Sequence, residues 1–154
     1  MYVKACVVVS KFDADFTKDE DTKNNIMQAL NTIKNIPCIP DGMKKEDNFL
    51  IESTVARWRK ANQIHKWFVD NVMSGVDECQ TVYINRKNIK TIINLCEKVL
   101  ETPQLAESLL PTGSGFFFGS TEYDDYYFQD LKDTIMMLSP LLEKEFDNCY
   151  FSYR

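Results

Sequence analysis

The chain has 154 residues, enough for one ordinary domain. At that length a fold buries roughly 70% of the surface of the unfolded chain, without needing a disulfide or a metal. Hydrophobic residues make up 44% and charged residues 27%, which excludes wholesale disorder and fibrous repeats. The net charge of −5 excludes a general DNA-coating protein, which needs a basic face.

The charge is unevenly placed. Residues 1–56 carry 7 basic and 9 acidic groups, residues 57–101 carry 8 and 5, and residues 102–154 carry 3 and 9. A basic middle is followed by an acidic end. The five cysteines stand at 6, 38, 79, 96 and 149. Their odd number and wide spacing point to reduced, buried thiols in a cytoplasmic protein. No apolar run approaches the ~20 residues of a membrane-spanning helix, and the opening lacks the basic and apolar regions of a signal peptide.

In chain order, residues 2–9 form a valine-rich apolar run suited to a strand covered on both faces. Ile26, Leu30, Ile33 and Ile36 recur at helical spacing, and Pro37 marks the end. Pro40-Asp41-Gly42 sits in a turn-rich connector. Residues 49–56 alternate as a second strand. A helix is expected over 57–72, stopped by Gly75. Asn85 is a cap for a third helix with an Ile89, Ile92, Ile93, Cys96, Val99 and Leu100 stripe, closed by Pro103. A further helix carries Tyr127, Leu131, Ile135 and Leu138, and Ser139-Pro140 kinks it or starts another. Residues 148–153 alternate as a last strand. The order is β-α-β-α-α-α-β, with room for one more strand before the third helix. It implies one α+β domain over 1–154: a small sheet with about four helices packed on it.

The densest chemistry lies in Arg57-Trp58-Arg59-Lys60-Ala61-Asn62-Gln63-Ile64-His65-Lys66-Trp67-Phe68, which holds both tryptophans and the single histidine. On a helix, Trp58, Asn62, His65 and Val69 share a face. Arg57, Arg59 and Lys60 would occupy the first turn, where backbone N–H groups also favour an anion. This implies either a phosphate or nucleotide pocket, with a tryptophan stacking on a base, or a set of satisfied core polar groups.

Pro111-Thr112-Gly113-Ser114-Gly115-Phe116-Phe117-Phe118-Gly119-Ser120-Thr121 is neither a dinucleotide fingerprint nor a P-loop. Thr121-x-x-Asp124 has capping-box spacing. Glu122-Tyr123-Asp124-Asp125-Tyr126-Tyr127 then opens a helix with three carboxylates and three tyrosines, which complements the helix dipole. General acid/base work by Glu122, Asp124 or Asp125 with His65 is a sharper alternative. No ligand spacing for a metal is present. The basic segment 57–60 and the acidic segment 122–125 are also candidates to pair with each other.

Through Trp58-Arg59-Lys60-Ala61-Asn62, Ile64-His65, Trp67-Phe68-Val69-Asp70-Asn71, Gly75-Val76-Asp77-Glu78-Cys79 and Gly115-Phe116-Phe117-Phe118-Gly119-Ser120-Thr121, the sequence resembles small uncharacterised proteins of bacteriophages and integrated mobile elements. Leu109-Leu110-Pro111-Thr112, Tyr123-Asp124 and Tyr126-Tyr127 extend the resemblance, which covers roughly residues 55 to 140. Relatives often open with Gly-Leu-Asp-Met-Tyr, whereas this chain opens Met1-Tyr2-Val3-Lys4-Ala5.

The resemblance implies an accessory binding protein without a cofactor, acting in the host cytoplasm on a host protein such as a nucleic-acid-binding defence effector. The charge count, not the resemblance, offers Glu122, Asp124, Asp125, Asp130 and Asp133 as its acidic contacts. The alternative is a binder of a nucleotide or signalling molecule through Arg57, Trp58, Arg59, Lys60, Asn62, His65, Tyr123 and Tyr126. A hydrolase or nuclease using His65 with the 122–125 carboxylates is the third reading.

Overall fold

A computed structural model describes residues 1–10, 14–15, 18–37, 48–113, 120–143 and 149–154. The fold is α+β. Four strands, β1 (Tyr2–Ser10), β2 (Asn48–Arg57), β3 (Val82–Ile84) and β4 (Cys149–Tyr153), form one sheet in the order β2-β1-β4-β3. β3 runs antiparallel to β4, with Val82 opposite Tyr153 and Ile84 opposite Phe151. Tyr2 and Arg154 exchange both backbone hydrogen bonds (2.8 and 3.1 Å), which is the signature of an antiparallel pair.

The α-helices of four residues or more fully within the described residues are α1 (Glu20–Lys34), α2 (Asn62–Asn71), α3 (Arg86–Glu101), α4 (Ala106–Leu109), α5 (Asp125–Leu138) and α6 (Pro140–Glu143), with a 3-10 turn at Pro103–Leu105 before α4. No helix among these residues is long and apolar enough to cross a membrane. Much of the glycine–phenylalanine loop (114–119), the Pro40-Asp41-Gly42 turn and Asn48's preceding connector lie outside the described residues.

The chain divides into two compact units, Met1–Ala5 with Ser53–Arg154, and Cys6–Glu52. In the second unit, Asp19 caps α1 by accepting from the Thr22 N–H (2.8 Å) and the Thr22 hydroxyl. Those hydrogen bonds hold the Asp19 carboxyl below its ordinary range. Leu30 is buried on this helix, whereas Ile36 lies beyond its end and is exposed.

The core of the first unit is built on α3. Of the predicted stripe, Ile89, Ile92, Ile93, Cys96 and Val99 are buried, and Leu100 is partly buried. Asn85 caps the helix in a reciprocal box with Asn88: each side-chain oxygen accepts from the other's backbone N–H (2.9 and 3.0 Å). This satisfies two groups that a helix start leaves without partners. Against the stripe pack Leu131, Leu138 and Tyr127 of α5 and Leu141 of α6. Val3, Ala56, Ile84 and Tyr153 join from the strands. Pro140 opens α6 directly after Ser139, the position where its missing N–H costs nothing.

One sequence expectation fails here. Residues 57–61 are not helical: Arg57 ends β2, and α2 begins at Asn62. The extended alternation of β2 carries through Arg57, and Lys60 then takes a left-handed backbone (φ 69°) that turns the chain. A non-glycine residue there costs about 1–2 kcal/mol, so packing on either side must hold the turn. Trp58 therefore shares no helix face with Asn62, His65 and Val69, and Arg57, Arg59 and Lys60 are not the first turn of a helix.

Candidate functional site

The structure distributes the sequence-predicted residues over three places. Asn62 and His65 line a cleft of about 460 Å3 on α2, together with Lys66, Val69, Asp70, Asp77, Thr112 and Gly113. Arg57, Trp58 and Arg59 line a separate cleft with residues of β1. Tyr126 and the acidic residues lie on α5 or just before it.

At the first cleft the polar side chains are committed to the fold. His65 Nδ1 is 2.7 Å from the Tyr153 hydroxyl, and Nε2 is 2.9 Å from Asp77 Oδ2. One neutral tautomer satisfies both bonds, with Nε2–H donating to the carboxylate and the phenol donating to Nδ1. The bond from His65 holds the Asp77 carboxyl below its ordinary value. Burial, assisted by the charge of Asp77, pushes the Tyr153 phenol up and keeps it protonated. Asp77 reaches His65 from a loop with left-handed residues at Ser74, Gly75 and Cys79. Glycine at 75 is suited to that turn, since it adopts positive φ without steric cost.

Asn62 has a comparable structural task. Its Nδ2 donates to Ser120 O (2.7 Å), and its Oδ1 accepts from Gly113 N–H (3.2 Å). It therefore joins the two sides of the 114–119 segment at their base, helped by Thr112 Oγ1 donating to Thr121 O (2.9 Å). The neighbouring Gln63 sits with Nε2 3.4 Å from both Tyr127 O and Asp130 Oδ2. Trp58 donates its indole N–H to Thr134 Oγ1 (2.8 Å), which in turn donates to Asp130 O (2.7 Å). Trp58 is buried beside Phe68 and Tyr153, and Phe68 stacks on Tyr153 at 3.9 Å. No described buried side-chain polar atom lacks a partner. In this region the reading as satisfied core polar groups describes Trp58, Asn62 and His65.

The carboxylate at His65 is Asp77, a residue the spacing argument did not single out. The helix expected to open at Glu122 opens at Asp125. Asp124, not Thr121, is its cap, with Oδ1 accepting from Tyr127 N–H (3.0 Å). Among the described residues, no ion pair joins 57–60 to 122–125, and no group of three or more ligand-type side chains could hold a metal ion. Tyr123 packs edge-on to Tyr127 (5.0 Å), and its oxygen accepts a long bond from Thr112 N–H (3.5 Å).

The outer face of α5 has a different character. Tyr126, Gln129, Asp133 and Met136 stand at i, i+3, i+7 and i+10, within about an 80° arc at 100° per residue. Tyr126 is 82% exposed and Met136 68% exposed. Asp125 at the start of α5 and Glu122 just before it are also exposed, and Asp133 accepts from Gln129 Nε2 (2.7 Å). Asp130 turns inward, where burial raises its carboxyl against the lowering effect of Gln63, and Asp133 and Asp124 raise it further. Met136 was missed by the sequence reading. Its signal was a large apolar side chain ten residues after Tyr126, on a face otherwise polar.

No family model matches the chain, and no match is found among curated proteins or among solved structures.

Proposed function

We propose that the protein is a non-catalytic binding protein that docks the outer face of α5 onto a basic surface of a macromolecular partner. The observation that carries this reading is the exposure of Tyr126 and Met136 on one helical face, beside the acidic groups Glu122, Asp125 and Asp133. Exposed large side chains of these types, ringed by polar groups, are the composition of protein-contact centres. The excess of acidic residues over 102–154 would steer a basic partner to this face. The resemblance to phage and mobile-element proteins supports a host protein as the partner, met in the host cytoplasm. A nucleic-acid-binding defence effector has the required basic channel.

Within this reading Asp124 serves as the α5 cap and Asp130 is raised by burial on the inner side of the helix, so the contact is assigned to the exposed Glu122 and Asp125, with Asp133 on the outer face beside Gln129. The test is affinity capture from host cells, followed by binding measurements on the captured partner with purified protein. Changing Asp125→Lys and Asp133→Lys together with Tyr126→Ala is expected to weaken binding at least 100-fold, about 2.7 kcal/mol. Unchanged affinity in a variant that melts like the parent would overturn the assignment.

A further inference from the structure

A second surface, on the opposite side of the charge balance, is formed where β1 begins and β2 ends. A cleft of about 930 Å3 is lined by Met1, Tyr2, Lys4, Thr54, Arg57, Trp58 and Arg59. Three of these side chains are cationic, and among the described lining residues none is acidic, in a chain whose net charge is −5. Arg57 and Arg59 are exposed, and neither has an ion pair among the described residues. Guanidinium groups left unpaired in a concave site present planar forks of N–H donors, the geometry that takes phosphate oxygens in pairs.

The backbone explains why two arginines arrive together. Arg57 closes β2, and Trp58 N–H donates to Met1 O (3.0 Å), so the chain stays alongside β1 past the end of the strand. The left-handed turn at Lys60 then leads into α2. Trp58, buried between them with its indole bonded to Thr134, anchors the segment and fixes where Arg57 and Arg59 leave the surface. The half-buried Tyr2 supplies an aromatic ring in the same cleft, and Lys4 lies 5.8 Å from its centre. The volume falls within the ~300–1,000 Å3 usual for small-ligand sites.

We infer that this cleft binds a nucleoside phosphate, with Arg57 and Arg59 taking the phosphate oxygens and Tyr2 offering a face to the base. This site uses different residues from the α5 face, so the two readings stand or fall separately. Asn62, His65, Tyr123 and Tyr126 have no part in it.

The probe is ADP, titrated calorimetrically into the full chain at 50 mM and at 300 mM salt, with adenosine and pyrophosphate in parallel. The expected result is saturable 1:1 binding of ADP, weakened at the higher salt, with adenosine inert. Arg57→Ala and Arg59→Ala are each expected to weaken binding at least tenfold. Arg57→Lys, which keeps the charge and loses the fork, should weaken it by a smaller factor. Tyr2→Ala should lower affinity for ADP and leave pyrophosphate unaffected. The inference is overturned by absent saturable binding, by an affinity unchanged in the arginine variants, or by binding of a single-stranded oligonucleotide with ADP inert. Melting curves that match the parent confirm that each exposed substitution leaves the fold intact.

Discussion

The His65 cluster and the outer face of α5 invite opposite judgements from their residue types and from their geometry. The first holds an imidazole, a carboxylate, a phenol and an amide around a cleft, a set that suggests chemistry. Yet both ring nitrogens are engaged, Tyr153 is fully buried, and Asn62 bridges two backbone segments. The second is an ordinary amphipathic helix, and it leaves a tyrosine and a methionine in solvent. In the His65 cluster each of these polar atoms has a partner within the fold, which is enough to give the cluster a structural role. What sets Tyr126 and Met136 apart is that both stand on one face of a single helix whose start is acidic, the mixture that contact surfaces use.

The contrast breaks most clearly at His65. His65→Ala strips the partner from the buried Tyr153 hydroxyl and releases Asp77, and it is expected to cost about 3 kcal/mol of stability. Chemical denaturation measures that loss, while partner affinity per folded molecule should stay at the parent value. A large affinity loss in the folded fraction would move function from α5 to the α2 cleft.

Acid titration reads a smaller effect at the same cluster. The folded Asp77 carboxyl lies below its ordinary value of 3.8 because His65 donates to it. Its ionised form therefore contributes stability above the unfolded value, and that contribution disappears as pH falls through the lower folded value. Denaturation midpoints from pH 5 downward should show this component, and Asp77→Asn should lack it.

Asp130 provides the smallest effect, with the opposite sign. Its folded carboxyl is raised, chiefly by burial, so its contribution is favourable at acid pH and is lost as pH rises through the folded value. Asp130→Asn keeps an acceptor for Gln63 and removes the charge. It should raise the melting temperature at pH 7 by the equivalent of less than about 1 kcal/mol, with the gain vanishing at acid pH.

How much of this was legible in the sequence depended on how local the cause was. The α3 stripe and its Asn85 cap were readable because a 3.6-residue period and a cap act within one turn. β1, β2 and β4 were readable from apolar runs and alternation, and the short β3 falls where room for a strand was left. The start of α2 was misplaced because Lys60 gives no sign of its left-handed backbone, and Arg57-Trp58-Arg59 suits either period. The partners of His65 were invisible: Asp77 lies 12 residues away and Tyr153 88. Only the tertiary fold brings them to one ring.

The outer face of α5 is the proposed contact surface. A photo-crosslinking residue placed at 126 tests it directly, with the same residue at 83 as the control, since Tyr83 on β3 is 79% exposed and lies outside α5. The captured partner is expected to crosslink from position 126 and not from 83. Crosslinking from 83 alone would contradict it.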